Sequence, residues 1–220
     1  MPEVAPSGPV STSRLILLPA VITLAVTLVR LVGELNQWSR TWFTTDMGAS
    51  IVGIVWLAPV FGICFAIRLV RSGHAPSSHW RALAFAGLGV AIILAQGLFA
   101  SGLEKLGLQP SFQVRLVFIW ALLAVAAVAT LPGWPALFKT QVAYAYSARI
   151  PVAIIMFFAF RGHWGTHYDA APSDVPAGIG LWAKYFWLAF FPQLLFWVGF
   201  TVVSGMVFGS LAAPLARKKP

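Results

Sequence analysis

The stretch FRGHWGTHYDAAPSDVP (160–176) gathers His163, His167 and Asp169 in a chain that otherwise avoids charge. His163 and His167 are four residues apart, so on a helix both rings share one face. Asp169 would then complete a two-histidine, one-carboxylate set of the kind that holds zinc or iron with a position left open for water. A divalent metal is accordingly the one cofactor this sequence raises. Against it, no HExxH is present, and Gly162, Gly165 and the prolines beyond them oppose a regular helix. A polar connection between two apolar segments is the competing reading. His74 and His79 belong to a second connection, which is basic.

Arg149 is the other residue whose placement demands an explanation. It lies ten residues after Lys139 and eleven before Phe160, near the middle of an apolar run. If that run crosses a bilayer, a guanidinium there costs about 2.5–3.5 kcal/mol on insertion scales. Arginine cannot escape by losing its proton, so acceptors are expected around it. Tyr144, Gln96 and Gln193 are candidates, as is the Ser147 carbonyl that Pro151 frees from its helical partner. Glu34 and Glu104 would serve only by dipping inward. The expected site is thus a polar centre of Arg149, Tyr144, Glu34 and Gln193, serving either an anion or a helix-to-helix clamp. Arg30 and Glu34 sit one helical turn apart, where they can pair with each other.

These residues need elements to position them, and composition decides which. Of 220 residues, 59% are hydrophobic and 10% charged, whereas a soluble domain carries roughly 25% charged residues. Long uncharged apolar runs, apolar on every face, exclude barrel strands and point to helices of bilayer-spanning length. The expected fold is all-α, a polytopic helical bundle of six spans at about 15–33, 50–69, 80–102, 113–131, 136–160 and 181–212. It is flanked by a tail at 1–13 and a basic tail at 217–220. Ser11, Thr12 and Ser13 offer caps for the first span, LPGWP (131–135) makes a turn, and Pro192 is the place for a bend in the long last run.

Charge sets the orientation. With the N-terminus inside, Arg14, Arg68, Arg71, Arg81, Lys139, Arg217, Lys218 and Lys219 face the cytoplasm. Arg40, Lys105, Arg115, Arg161 and Lys184 face out, a bias that places both termini in the cytoplasm of a bacterial-type membrane. The net charge of +9 is then read as contact with anionic headgroups, with no nucleic-acid partner. Trp56, Trp120, Trp187 and Trp197 are expected between helices, and the lone Cys64 as a small core residue. Gly205 and Gly209 form a GxxxG step, and Gly97 to Ser101 a related one. Both are read as packing faces, with Gly205 and Gly209 also offering a contact for a partner helix or a second copy.

No phosphate loop, GxSxG elbow or in-membrane histidine pair occurs. The expectation is a non-enzymatic, permease-like or assembly component with its polar centre at Arg149. Two alternatives stand beside it. One is an enzyme acting on lipid headgroups through His163, His167 and Asp169; the other is a subunit of a larger membrane complex.

Overall fold

The computed structural model describes residues 11–46, 50–108, 110–172, 175 and 178–216. Residues 1–10 of the expected N-terminal tail and all of the 217–220 tail lie outside the described residues, as does the side chain of Glu104. Among the described residues there is no strand. The elements are α1 (Thr12–Leu35), α2 (Leu57–Arg71), α3 (His79–Lys105), α4 (Phe112–Ala129) and α5 (Pro135–Gly162), followed by a last run, Leu181–Ala216. That run comprises α6 (Leu181–Tyr185), two π-helical stretches (Phe186–Phe190 and Pro192–Trp197), α7 (Val198–Ala212) and a closing 3-10 turn.

Five of these helices are long and apolar enough to cross a membrane, namely α1, α3, α4, α5 and the last run. The expected second span differs. Its helix covers only Leu57–Arg71, about 22 Å at 1.5 Å per residue, short of the roughly 30 Å of a hydrocarbon core. Residues 50–56 are irregular instead. Two contacts tie this segment to the Trp42 carbonyl, which accepts from Val52 N–H at 3.3 Å and from the Ser50 hydroxyl at 2.6 Å. Apolar composition concealed this break, because Ser50 and Gly53 are weak helix formers within an otherwise greasy window.

Local chemistry explains the other boundaries. The Ser111 hydroxyl caps α4 by accepting from Val114 N–H, and Pro135 opens α5 where its missing donor costs nothing. His163 ends α5 in the left-handed conformation, φ 50°. In the last run, Pro192 begins the second π-helical stretch instead of breaking the helix, so widened turns absorb the proline.

Helices α2 and α7 form the most extensive pair, and glycine makes it possible. A Cβ on Gly62 would stand 2.6 Å from the Gly205 Cα, and one on Gly209 would stand 2.8 Å from the Gly62 carbonyl oxygen. The GxxxG step is therefore consumed inside the chain, against α2 and against Gln141 of α5. This corrects the expectation that Gly205 and Gly209 offer a free face to another helix or a second copy. Gly97, by contrast, has open space around it among the described residues. Gly205→Leu is expected to lose about 1–3 kcal/mol by overpacking, while Gly97→Leu is neutral; thermal melts in detergent compare the two.

The surface is apolar wherever helices have no neighbour. Only 17% of the apolar window of α3 is buried, against 50% for the last run, which is the hub of the bundle. Leu17, Leu18, Leu94, Leu98 and Leu215 are among the most exposed side chains. Cys64 and Trp56 also lie on the exposed surface, contrary to their expected core positions. Trp120 does pack inside, stacked on Trp187 with ring centroids 5.5 Å apart.

Candidate functional site

The site is built on a helix that is amphipathic the wrong way round for a water-soluble protein. Pro19, Thr23, Thr27, Arg30 and Glu34 recur every three or four residues along α1 and are all buried, so its polar stripe faces the bundle. Most of its Leu and Val residues face out, Leu17, Leu18, Val21, Leu28, Val29 and Val32 among them. The threonines satisfy themselves along the helix, with Thr23 Oγ1 donating to the Pro19 carbonyl at 2.8 Å and Thr27 Oγ1 to the Thr23 carbonyl at 2.9 Å. Thr23 Oγ1 also meets the Tyr144 hydroxyl of α5 at 2.8 Å.

Glu34 closes the upper end of this stripe. Its carboxylate is buried and accepts from Arg30 Nε at 2.7 Å and from the His167 backbone N–H at 2.9 Å. His167 Nδ1 lies 2.6 Å from Glu34 Oε1 and 2.8 Å from Oε2. An ionised carboxylate only accepts, so Nδ1 carries the hydrogen and the tautomer is fixed. Arg30 Nη2 donates further to the Thr44 carbonyl at 3.2 Å. One carboxylate thus ties α1 to the 42–46 segment, through Arg30, and to the loop after α5.

That loop holds its own shape through Asp169. Its Oδ1 accepts from Thr166 N–H at 2.7 Å and from the Thr166 hydroxyl at 2.8 Å, while Oδ2 accepts from Gly165 N–H at 2.9 Å. Tyr168 then reaches inward and donates its hydroxyl to the Thr27 carbonyl at 3.0 Å. Burial raises the Tyr168 phenol above its ordinary value, so it remains a neutral donor. Burial likewise holds the His167 imidazole below its ordinary 6.5; the Arg30 guanidinium adds to this and the Glu34 carboxylate opposes it.

Beneath the loop is a cavity of about 210 Å³. α1 contributes Thr27 and Arg30, the irregular segment Gly53 and Ile54, and the loop His167 and Tyr168. From α5 come Arg149 and Met156, and from the last run Gln193 and Trp197. This is where the late start of α2 matters, because the irregular residues before it supply part of the cavity wall.

Arg149 has none of its expected acceptors. It is buried, yet among the described residues its guanidinium makes no hydrogen bond and no ion pair, and its Nε is enclosed without a partner. The guanidinium carbon lies over the face of Trp197, 4.7 Å from the ring centroid. Tyr144 is engaged by Thr23, and Glu34 by Arg30 and His167. Gln193 Nε2 is 3.3 Å from Met156 Sδ, which leaves Gln193 Oε1 buried and unpaired in the same cavity. Arg149 and Gln193 therefore meet at the cavity, while Tyr144 and Glu34 stand behind its wall. No protein family, no curated protein and no solved structure matches this chain.

The three residues of the expected metal set occupy separate environments. His163 is the exposed cap of α5, His167 is bound to Glu34, and Asp169 is spent on loop amides. Among the described residues, no group of three His, Cys, Asp or Glu side chains is placed to hold a metal ion. Sequence reasoning missed Thr27, Tyr168 and the union of Glu34 with His167. The spacing of Thr23, Thr27, Arg30 and Glu34 was the available signal, since it draws one polar line along a helix of otherwise apolar residues.

Proposed function

We propose that this chain is a multi-pass membrane protein that binds a small oxyanion in the cavity beneath the 163–169 loop, in a permease-like or assembly role and not as an enzyme. The observation that carries the reading is Arg149. A buried guanidinium that lines the cavity and has no ion pair among the described residues is a charge that an anionic ligand would match. The Arg30 charge is already met by Glu34, so the cavity's unmatched charge belongs to Arg149. At about 210 Å³ the space falls below the roughly 300–1,000 Å³ typical of drug-sized ligands. Val26, Ile54, Val152 and Met156 line the remainder and suit a short apolar portion. The unpaired Gln193 Oε1 suits a hydroxyl or N–H donor on the ligand.

Insertion into a bacterial-type cytoplasmic membrane, with both termini on the cytoplasmic side, is part of the proposal. The inside-out pattern of α1 and the five apolar helices support insertion. The short α2 would act as a sixth crossing whose upper portion is replaced by the 50–56 segment. In support, Glu34 meets His167 at one end of the bundle, while Trp134 Nε1 donates to the His74 carbonyl at the other. The cluster of Lys and Arg at that second end suits contact with anionic headgroups.

The oxyanion could be free in solution or belong to a lipid headgroup, and two experiments separate these sources. Calorimetry of the detergent-purified protein with sulfate tests the free form. Nanodiscs of phosphatidylcholine, with and without phosphatidylglycerol, test the lipid form. Saturable binding in either arm is expected. Failure of both sulfate and phosphatidylglycerol to bind overturns the proposal.

A further inference from the structure

We propose that the cavity takes up its oxyanion together with one proton, and that the proton is carried by His167 Nε2. This rests on the anion-binding reading above and adds the identity of the second group that meets the ligand.

The geometry begins with Glu34. Because its carboxylate holds both His167 Nδ1 and the His167 backbone N–H, the backbone is fixed beside it and the ring cannot turn without losing the Nδ1 contact. Nδ1–H points at Glu34, so Nε2 is the ring's other nitrogen; His167 lines the cavity, and among the described residues no hydrogen bond engages Nε2. In the neutral imidazole Nε2 presents a lone pair. An incoming oxyanion, also a lone-pair bearer, would meet repulsion there. If water delivers a proton to Nε2, the same atom becomes a donor and the imidazolium lies between two negative groups, Glu34 and the ligand. Proton and anion thus favour each other's binding, and that preference is reciprocal.

Among the described residues, the charged and titratable groups that act on His167 come from three elements. From α1 come Glu34, which favours the protonated ring, and Arg30, which opposes it. On its own loop Asp169 favours it, and the neighbouring Tyr168 is a neutral phenol. From α5 comes Arg149, on the same cavity wall. In the empty site burial prevails, and the ring is neutral at pH 7. A bound anion supplies the missing counter-charge and raises the ring's proton affinity.

The sign follows from linkage. With the empty-site value below 6.5 and the occupied-site value above it, affinity for anion rises as pH falls between the two. The steepest slope is about tenfold per pH unit, and affinity levels off below the empty-site value. Sulfate is the suitable probe, because its own charge is constant across the range in which histidine titrates. Calorimetry of the full chain in two buffers of different ionisation enthalpy is expected to show uptake approaching one proton per sulfate at neutral pH. Tighter binding is expected at about pH 5.5 than at about pH 8, by tenfold or more. His167→Gln is expected to bind sulfate weakly, without proton uptake and without pH dependence.

Wild-type sulfate affinity that is flat across this range, with no proton uptake, overturns the coupling and leaves the anion site standing. The wild-type measurement decides this even if His167→Gln fails to fold. Absence of sulfate binding at any pH overturns the coupling; the anion site itself falls only if phosphatidylglycerol also fails to bind.

Discussion

Replacing Arg149 with methionine is expected to abolish anion binding while leaving the protein at least as stable as the wild type. The two halves of this result have different physical origins. Truncating a buried charge that meets a charged ligand removes about 2–5 kcal/mol of binding, a loss of about thirtyfold or more. Stability moves the other way because the guanidinium has no hydrogen bond or ion pair to lose. Exchanging an unmatched buried cation for an apolar side chain of similar length stabilises by about 1–4 kcal/mol in comparable cases. The lost contact with the Trp197 face offsets about 1–2 kcal/mol of this. Thermal melts and sulfate calorimetry on the same preparation test both halves. A clear drop in melting temperature would make Arg149 a clamp between helices and remove the basis for an anion site.

Glu34→Ala is expected to have the largest effect on the fold. Glu34 is the shared acceptor for the Arg30 side chain, the His167 ring and the His167 backbone. Its removal strands a buried guanidinium and releases the loop at the mouth of the cavity. Breaking one partner of a buried pair costs about 3–5 kcal/mol, a large fraction of the 5–15 kcal/mol that holds a typical domain together. The double variant Arg30→Leu/Glu34→Leu is expected to recover part of that loss, since no uncompensated charge remains. Detergent thermal melts of wild type, single and double variants form the comparison. A Glu34→Ala protein as stable as the wild type would show that Arg30 finds other acceptors.

Arg149 was legible in the sequence because a charge midway between Lys139 and Phe160 in an apolar run has few explanations. Its partners were not. Reasoning from polarity alone assigned it Tyr144 and Glu34, but both are taken by closer neighbours, Thr23 on α1 and Arg30 one turn away. The contact that organises the site joins Glu34 to His167 across 133 positions of sequence, and no local pattern encodes a pairing of that range. His167 attracted notice for its spacing from His163, yet it matters for its contact with Glu34. Helix boundaries fared better at the capped ends, such as Ser111 and Pro135, than at the unmarked start of α2. There hydropathy stays high through residues that do not form a helix.

The self-contained pair on α1 also implies an order of biogenesis. Arg30 and Glu34 are one turn apart on a single helix, so α1 carries a charge and its neutraliser in one piece and, in a membrane, would need no other helix to match that charge. Its apolar window has the highest mean hydropathy of the five, 2.5, whereas that of α5, which carries the solitary Arg149, is the lowest at 1.6. α5 is poorly suited to enter lipid unaided and gains most from arriving beside the polar stripe already laid down by α1. In a membrane, α1 would thus offer the least apolar of the five helices a polar face to pack against, and the Glu34–His167 contact would form only once α5 lies beside it.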